Sequence, residues 1–466
     1  MSIRPGRKTL ITVAVVIIGV VIAGRFGAFR EAGFFLRNAQ LGSALVAHDL
    51  CYGVLLQGRS EEHVRNGELG PFIDDRLSWF SADIDQDNAE IRTSLYGLFS
   101  IQYGMRADGS CSRYIEGEGR APGLPAPDPR PWPTGDAIHP APQTLIADYD
   151  ALVEAVEAEF EPFPSGQQRG TRSVLIIHEG ALIYERHAPG WDRFIPQNGQ
   201  SNTKVVTAIL AGALADQNSS MLEDRNLRPE WEDQRTDITI RNLLHMTSGL
   251  DWNESNADGD PGVAKLLSEN AADYVAAKPL RNPPGQRFNY SGGDSDLLMS
   301  VLQTKSGLNE EAWSRFPYDT IFEPLGMQRT VLSRDTSGQF IGQGSMHAAA
   351  VDWGRLGLFL ARDGVWEGER ILPVGWVDFM TTPTETSRCN YGAQLWIRGG
   401  CETGGPAEVF ELSGFMGQSV TIVPATETVI VRTGFGPWRT SDLLSRVFPA
   451  LGVDAPTLMA REMAEK

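Results

Sequence analysis

Residues 197–210 read Q-N-G-Q-S-N-T-K-V-V-T-A-I-L. The apolar positions after Lys204, namely Val205, Val206, Ala208, Ile209, Ala211 and Leu214, recur densely enough to predict a helix buried over most of its surface, with Ser201 in its first turn. Residues three apart on a helix share a face, so this spacing sets the Lys204 amine beside the Ser201 hydroxyl. A serine hydroxyl attacks a carbonyl at neutral pH only when a neighbouring base takes its proton. A lysine serves as that base where burial or a second cation disfavours its charged form.

Two further stretches carry polar groups in a suggestive order. Y-S-G at Tyr290–Gly292 supplies a second titratable group, and L-S-G at Leu412–Gly414 lies on a late strand. Around them, T-R-S-V-L-I-I-H-E-G-A-L-I-Y-E-R-H (171–187) reads as two antiparallel strands turning at Glu179 and Gly180. Residues 409–434 read as strand, turn, strand. Between these ends lie helical patterns: the run after Lys204, I-T-I-R-N-L-L-H-M (238–246), and D-S-D-L-L-M-S-V-L-Q-T-K-S-G closing at Gly307. Strands at both ends of a helical middle predict an α+β fold, an antiparallel sheet flanked by helices with an inserted, mostly helical lobe.

Ser201-x-x-Lys204, the tyrosine box and the third box, in that order, resemble the motif set of the serine β-lactamase-like superfamily. The resemblance is to its branch with a tyrosine box: class C β-lactamases, D-alanyl-D-alanine peptidases, certain esterases and 6-aminohexanoate-dimer hydrolases. It runs from about Thr171 to the C-terminus and includes the phrases I-T-I-R-N-L-L-H-M-T-S-G-L, P-P-G-Q-R-F-N-Y-S and I-F-E-P-L-G-M. The N-terminal region, with L-C-Y-G-V-L-L-Q-G-R-S and a later Gly-Ser-Cys, is similar to the extension of exported aminohexanoate-dimer-type hydrolases.

The resemblance implies a β-lactamase/transpeptidase-like fold and a serine hydrolase that works through an acyl-enzyme on Ser201. Lys204 and Tyr290 would move the proton, and the backbone N–H groups of Ser201 and Phe415 would hold the oxyanion. Gly292, Gly414 and Gln418 would border the substrate. The chain departs from the pattern twice. Leu412 stands where β-lactamases and peptidases carry Lys or His, which removes a partner for a substrate carboxylate. Gly292 stands where the tyrosine box usually ends in Asn. Both point to a small amide or ester of aminohexanoate-dimer or carboxylester type. The alternatives are a peptidase or β-lactamase, and a non-catalytic penicillin-binding-like homologue. None of these needs a cofactor or a metal.

His178 and His245 each precede a turn and read as structural, and no G-x-S-x-G elbow supports another hydrolase class. The acidic stretch D-W-N-E-S-N-A-D-G-D-P-G (251–262) reads first as a solvated loop. Its alternative is a lid whose carboxylates hold a substrate amine.

A formal charge of -18 over 466 residues makes nucleic acid an unsuitable partner. The N-terminus differs: Arg4, Arg7 and Lys8 precede an uncharged run from Thr9 to Gly24, about 24 Å as a helix. It reads as an uncleaved membrane anchor, or else as a signal peptide with Val21 and Ala23 near the cleavage site. Either exports the rest, with the basic side left in the cytoplasm, so the body is periplasmic if the source is a Gram-negative bacterium.

The four cysteines have no zinc-site spacing, and order along the chain pairs Cys51 with Cys111. Cys389 and Cys401 flank Y-G-A-Q-L-W-I-R, which reads as a strand that would hold them apart, and their pairing stays open. Eight prolines between Ala121 and Pro142 predict a semi-rigid extended connector. The resulting organisation is an anchor or signal (1–30), an accessory region (31–120), the connector (121–145) and a hydrolase domain (146–466). Within the accessory region a helix over 34–49 and a hairpin turning at Asp108 and Gly109 are expected.

Overall fold

The computed structural model describes residues 28–69, 74–118, 123–138, 143–215, 219–255, 259–398, 407–438 and 440–453. The candidate anchor at Thr9–Gly24 lies outside them.

The main sheet has six antiparallel strands. In chain order these are β5 (Thr171–His178), β6 (Ala181–His187), β7 (Trp396–Ile397), β8 (Phe410–Gly414), β9 (Gln418–Val423) and β10 (Thr428–Gly434). They lie side by side as β7-β8-β9-β10-β5-β6, so the two ends of the domain meet where Val431 pairs with Leu175. The expected hairpin at Glu179 and Gly180 forms, with Ile176 opposite Tyr184.

Side chains alternate across a strand, and both faces of β5 are apolar. Val174 and Ile176 join a cluster with Leu152 of α2 (Tyr149–Glu157) and with Leu443 and Val447 of α7 (Thr440–Leu451). Leu175 and Ile177 face the other way, into the main core with Leu356 and Phe359 of α6 (Ala350–Ala361). A sheet apolar on both sides must be covered on both, which is why helices from opposite ends of the chain sandwich it. The inserted lobe contains α3 (Lys204–Ala215), α4 (Ile240–Leu244) and α5 (Gly292–Ser306). Thr239 and Asn242 form a capping box at the start of α4. Gly307, at φ +66°, ends α5 as the sequence predicts.

The accessory region forms its own antiparallel sheet of β1 (Phe80–Asp85), β2 (Glu90–Leu95), β3 (Leu98–Met105) and β4 (Cys111–Arg113). The hairpin expected at Asp108 and Gly109 joins β3 to β4. Helix α1 (Ala28–Leu50) crosses this sheet, and the Cys51–Cys111 disulfide ties its end to β4. Asn38–Leu56 is long and apolar enough to span a membrane, but 72% of it is buried inside the protein. Its hydrophobicity serves the core that Ala44, Ala47 and Leu50 share with Ile91, Ile101 and Tyr103.

This core is not closed off from the main body, since Leu266 and Val331 belong to it. Tyr52 Oη and Ser333 Oγ lie 2.5 Å apart, and Ser112 Oγ donates to Arg334 O at 2.9 Å. The proline-rich connector is fastened rather than free. Arg355 donates to Pro133 O at 2.7 Å, to Gly135 O at 2.7 Å and to Asp136 at 2.8 Å, and Arg329 reaches Asp136 at 3.0 Å.

One segment corrects the sequence reading. The run after Cys389 is not an extended strand: it turns back so that Tyr391 bridges to Trp396, and only Trp396–Ile397 joins the sheet. Tertiary partners take the place of a ladder, because Ala393 N–H donates to Met380 O at 2.8 Å and Gln394 N–H to Leu244 O at 3.1 Å. Extension therefore does not keep Cys389 from a partner, and Cys389 is disulfide-bonded. Cys401 lies outside the described residues.

Candidate active site

Ser201 lies in a 3-10 turn over Gln200–Thr203 that leads directly into α3 at Lys204. The tight turn has a local cause. Gln200 takes φ +50°, and its N–H donates to Asn198 Oδ1 at 2.8 Å. The i,i+3 relation survives in this turn. Lys204 Nζ donates to Ser201 Oγ at 3.0 Å and to Gln343 O at 2.7 Å. Lys204 is 1% exposed while Ser201 is half-buried, so the amine is sheltered and the hydroxyl accessible.

Tyr290 lies directly before the N-cap of α5. Its ring packs on Trp396 at 5.2 Å and edge-on to Tyr391 at 5.6 Å. Lys204 Nζ sits over this ring, 5.1 Å from its centre. The structure thus brings Tyr290 to the lysine by its ring.

Gly414 ends β8 against the serine loop. A Cβ there would stand 2.3 Å from Gly199 O, so this close approach tolerates only glycine. The next residue, Phe415, shares a cavity of about 640 Å³ with Ser201 and Lys204. Glu254, Lys265 and Gln343 line the same cavity.

The Gln418 side chain is engaged within the sheet. Its amide hydrogen-bonds Gly434 through both ends, donating to the carbonyl and accepting from the N–H, and so ties β9 to β10. Leu412 is buried in the main core. His178 and His245 are structural: each hydrogen-bonds a threonine at 2.7 Å, Thr428 and Thr384 respectively. Burial, with the nearby Arg241, lowers the His245 pKa to about 4.

Gly292 is explained by its neighbour. Its N–H donates to Glu254 Oε2 at 2.8 Å, and Trp252 Nε1–H donates to the same carboxylate. A Cβ on Gly292 would stand 3.0 Å from the Gln343 side chain and 3.3 Å from Glu254. The acidic stretch therefore delivers one carboxylate into the cavity, at the start of α5, where the helix dipole favours an anion.

Three groups escaped sequence reasoning. Asp296 accepts from Gln343 N–H at 2.9 Å and from Gln343 Nε2 at 2.6 Å, fixing the residue whose carbonyl receives Lys204. Burial raises its pKa to about 7, against the pull of the Gln343 N–H and the Lys204 charge. Asp294, whose N–H donates to the N-cap Ser291 Oγ and whose carboxylate accepts from Ser248 Oγ at 2.7 Å, is likewise raised by burial to about 7. Lys265 makes no ion pair among the described residues. Burial lowers its pKa, Asp49 and Asp296 oppose this, and Lys204 adds to it. Only the alternation of Gly292-Gly-Asp-Ser-Asp296 hinted at two buried carboxylates.

The family model for Beta-lactamase matches residues 156–433. The chain belongs to this family. Over 298 residues it is 26% identical to the 6-aminohexanoate-dimer hydrolase of Paenarthrobacter ureafaciens, covering 57% of this chain and 73% of that protein. It is 25% identical over 140 residues to Protein flp of Staphylococcus aureus strain MW2, which is 29% of this chain and about a quarter (27%) of that protein. Among solved structures, EstCE1, described as a hydrolase with promiscuous acyltransferase activity, superposes with a TM-score of 0.51 at 18% identity. That match covers 65% of this chain and 98% of EstCE1, and it is a likeness of fold. The β-lactamase-family match begins after α1, β1–β4 and the connector.

Proposed function

We propose that this chain is a serine hydrolase that cleaves small esters or amides through an acyl-enzyme on Ser201. The observation that carries the reading is the 3.0 Å contact between the buried Lys204 amine and the accessible Ser201 hydroxyl. In this mechanism Ser201 Oγ attacks the carbonyl carbon as its proton passes to the Lys204 amine. The proton then reaches the leaving amine or alkoxide by way of the Tyr290 hydroxyl as the C–N or C–O bond breaks. Water adds to the acyl carbon, the Oγ–C bond breaks, and Ser201 regains its proton as the free acid departs. The N–H groups of Ser201 and Phe415 hold the oxyanion, each such donor being worth about 3 kcal/mol in serine hydrolases.

Glu254 supports a substrate with an amine on its acyl portion, as in aminohexanoate dimers. It stands among the residues that line the cavity with Ser201. Leu412, buried in the core, offers no cation to a β-lactam carboxylate, which disfavours the β-lactamase and peptidase alternatives. We further propose that residues 1–30 anchor or export the chain and that the hydrolase body works outside the cytoplasm. The Cys51–Cys111 disulfide supports an oxidising compartment. Fluorophosphonate labelling of wild type and Ser201→Ala tests the central step, and acylation by benzylpenicillin separates the alternatives.

A further inference from the structure

The residues that precede the family match do more than support the domain. Leu41 and Leu45 of α1, Trp79 and Phe80 at the start of β1, and Leu95 of β2 line the cavity that holds Ser201, with Leu266 beside them. The apolar surface continues outward from there. Trp79 is 43% exposed and stacks at 5.6 Å on Tyr96, which is 67% exposed, and Leu98 across the same turn is 62% exposed. Exposed apolar side chains scattered singly need no explanation, but a cluster continuous with a cavity marks a binding surface. Polar groups in the cavity gather around Ser201, Lys204, Glu254 and Gln343, whereas the accessory region contributes chiefly hydrocarbon.

We propose that this wall is an acyl-chain site, and that the substrate is an ester or amide whose scissile carbonyl carries a hydrocarbon chain. The inference rests on the serine-hydrolase reading and names its substrate class. The acyl side is assigned because the acyl group stays bonded to Ser201 through the intermediate and needs a wall for that lifetime, while the leaving group departs. Glu254 can still receive a polar terminus on such a chain.

The test gives the full-length chain, held in lipid nanodiscs, p-nitrophenyl esters from acetate to hexanoate, beside Leu45→Trp and Leu45→Ala. In wild type kcat/KM rises with length, by up to about fourfold for each methylene fully buried. Leu45→Trp fills the wall and reduces the hexanoate-to-acetate ratio at least fivefold, and Leu45→Ala, which removes hydrocarbon from the wall, reduces it by a smaller factor. A flat profile from an enzyme whose Ser201 labels with fluorophosphonate overturns the acyl-chain site and leaves the hydrolase reading standing. A rate that follows the alcohol chain in an alkyl acetate series also overturns it. No turnover of any ester, acetate included, together with no labelling, overturns both.

Discussion

The Glu254 carboxylate accepts the Gly292 backbone N–H at 2.8 Å, so a side chain of the acidic loop that lines the cavity is tied to the end of the tyrosine box. A glycine at 292 and a glutamate at 254 are thus complementary: a larger residue at 292 would press on Glu254 and Gln343. In the proposed reading, a carboxylate in this position favours a hydrogen-bond donor or cation on the substrate.

Glu254→Gln is therefore expected to act on selectivity. Compared as p-nitroanilides, the 6-aminohexanoyl substrate should lose about tenfold or more in kcat/KM, the value of one hydrogen bond to a charged group. The hexanoyl substrate should change several-fold less. Equal losses on both would show that Glu254 acts only through the fold.

Tyr290→Phe removes the hydroxyl and keeps the ring that packs on Trp396 and under Lys204. Loss of a proton-transfer group costs about 10²–10⁴ in kcat. Lys204→Met should cost a similar factor. Because the proposed mechanism puts both on one proton path, the double variant should be scarcely worse than either single one, which steady-state kinetics on an acetate ester will measure.

Asp296 gives a pH signature in stability. Its folded pKa is raised by burial to about 7. The folded state therefore holds a proton that the unfolded chain releases near pH 4, and the stability this confers is lost as pH rises toward 7. Asp296→Asn cannot ionise, so its Tm should fall less than that of wild type between pH 4 and pH 8. Parallel Tm–pH curves would contradict the assignment. Under the proposed mechanism Asp296 positions Lys204 through Gln343, so its substitution should also lower kcat.

Asp136 joins the connector to the domain through Arg329 and Arg355, both nearly fully buried. Burial would raise its pKa, but the Arg355 hydrogen bond and charge, the Asp128 N–H and the Arg329 hydrogen bond hold it below the ordinary range. Asp136→Ala leaves two buried guanidinium groups short of a partner, at a cost of about 3 kcal/mol. The variant should melt several degrees lower by calorimetry, whereas a Tm within one degree of wild type would show a connector that is merely laid on the surface.

Much of this molecule is legible in its sequence where the signal is local. The β5–β6 and β3–β4 hairpins follow from period-two patterns and turn residues, α5 ends at Gly307, and Ser201 and Lys204 pair through i,i+3 spacing. Local logic fails where distant contacts decide. The run from Tyr391 to Arg398 has strand composition, yet the carbonyls of Met380 and Leu244 hold Ala393 and Gln394 out of the sheet, and only Trp396–Ile397 joins it. Gln418 offers nothing in sequence to show that Gly434 claims its amide. The cavity wall from α1 and β1–β2 depends on how the accessory region docks, and the arrival of Glu254, Lys265 and Asp296 around Lys204 depends on contacts between distant segments of the domain; no periodicity encodes either.

The most direct measurement is fluorophosphonate labelling of the full-length chain, followed by intact mass and peptide mapping, beside Ser201→Ala and Tyr290→Phe. One adduct at Ser201, absent in the alanine variant and slower to form in the phenylalanine variant, is the predicted result. A folded wild-type protein that takes up no label, or that labels at another residue, would contradict the account.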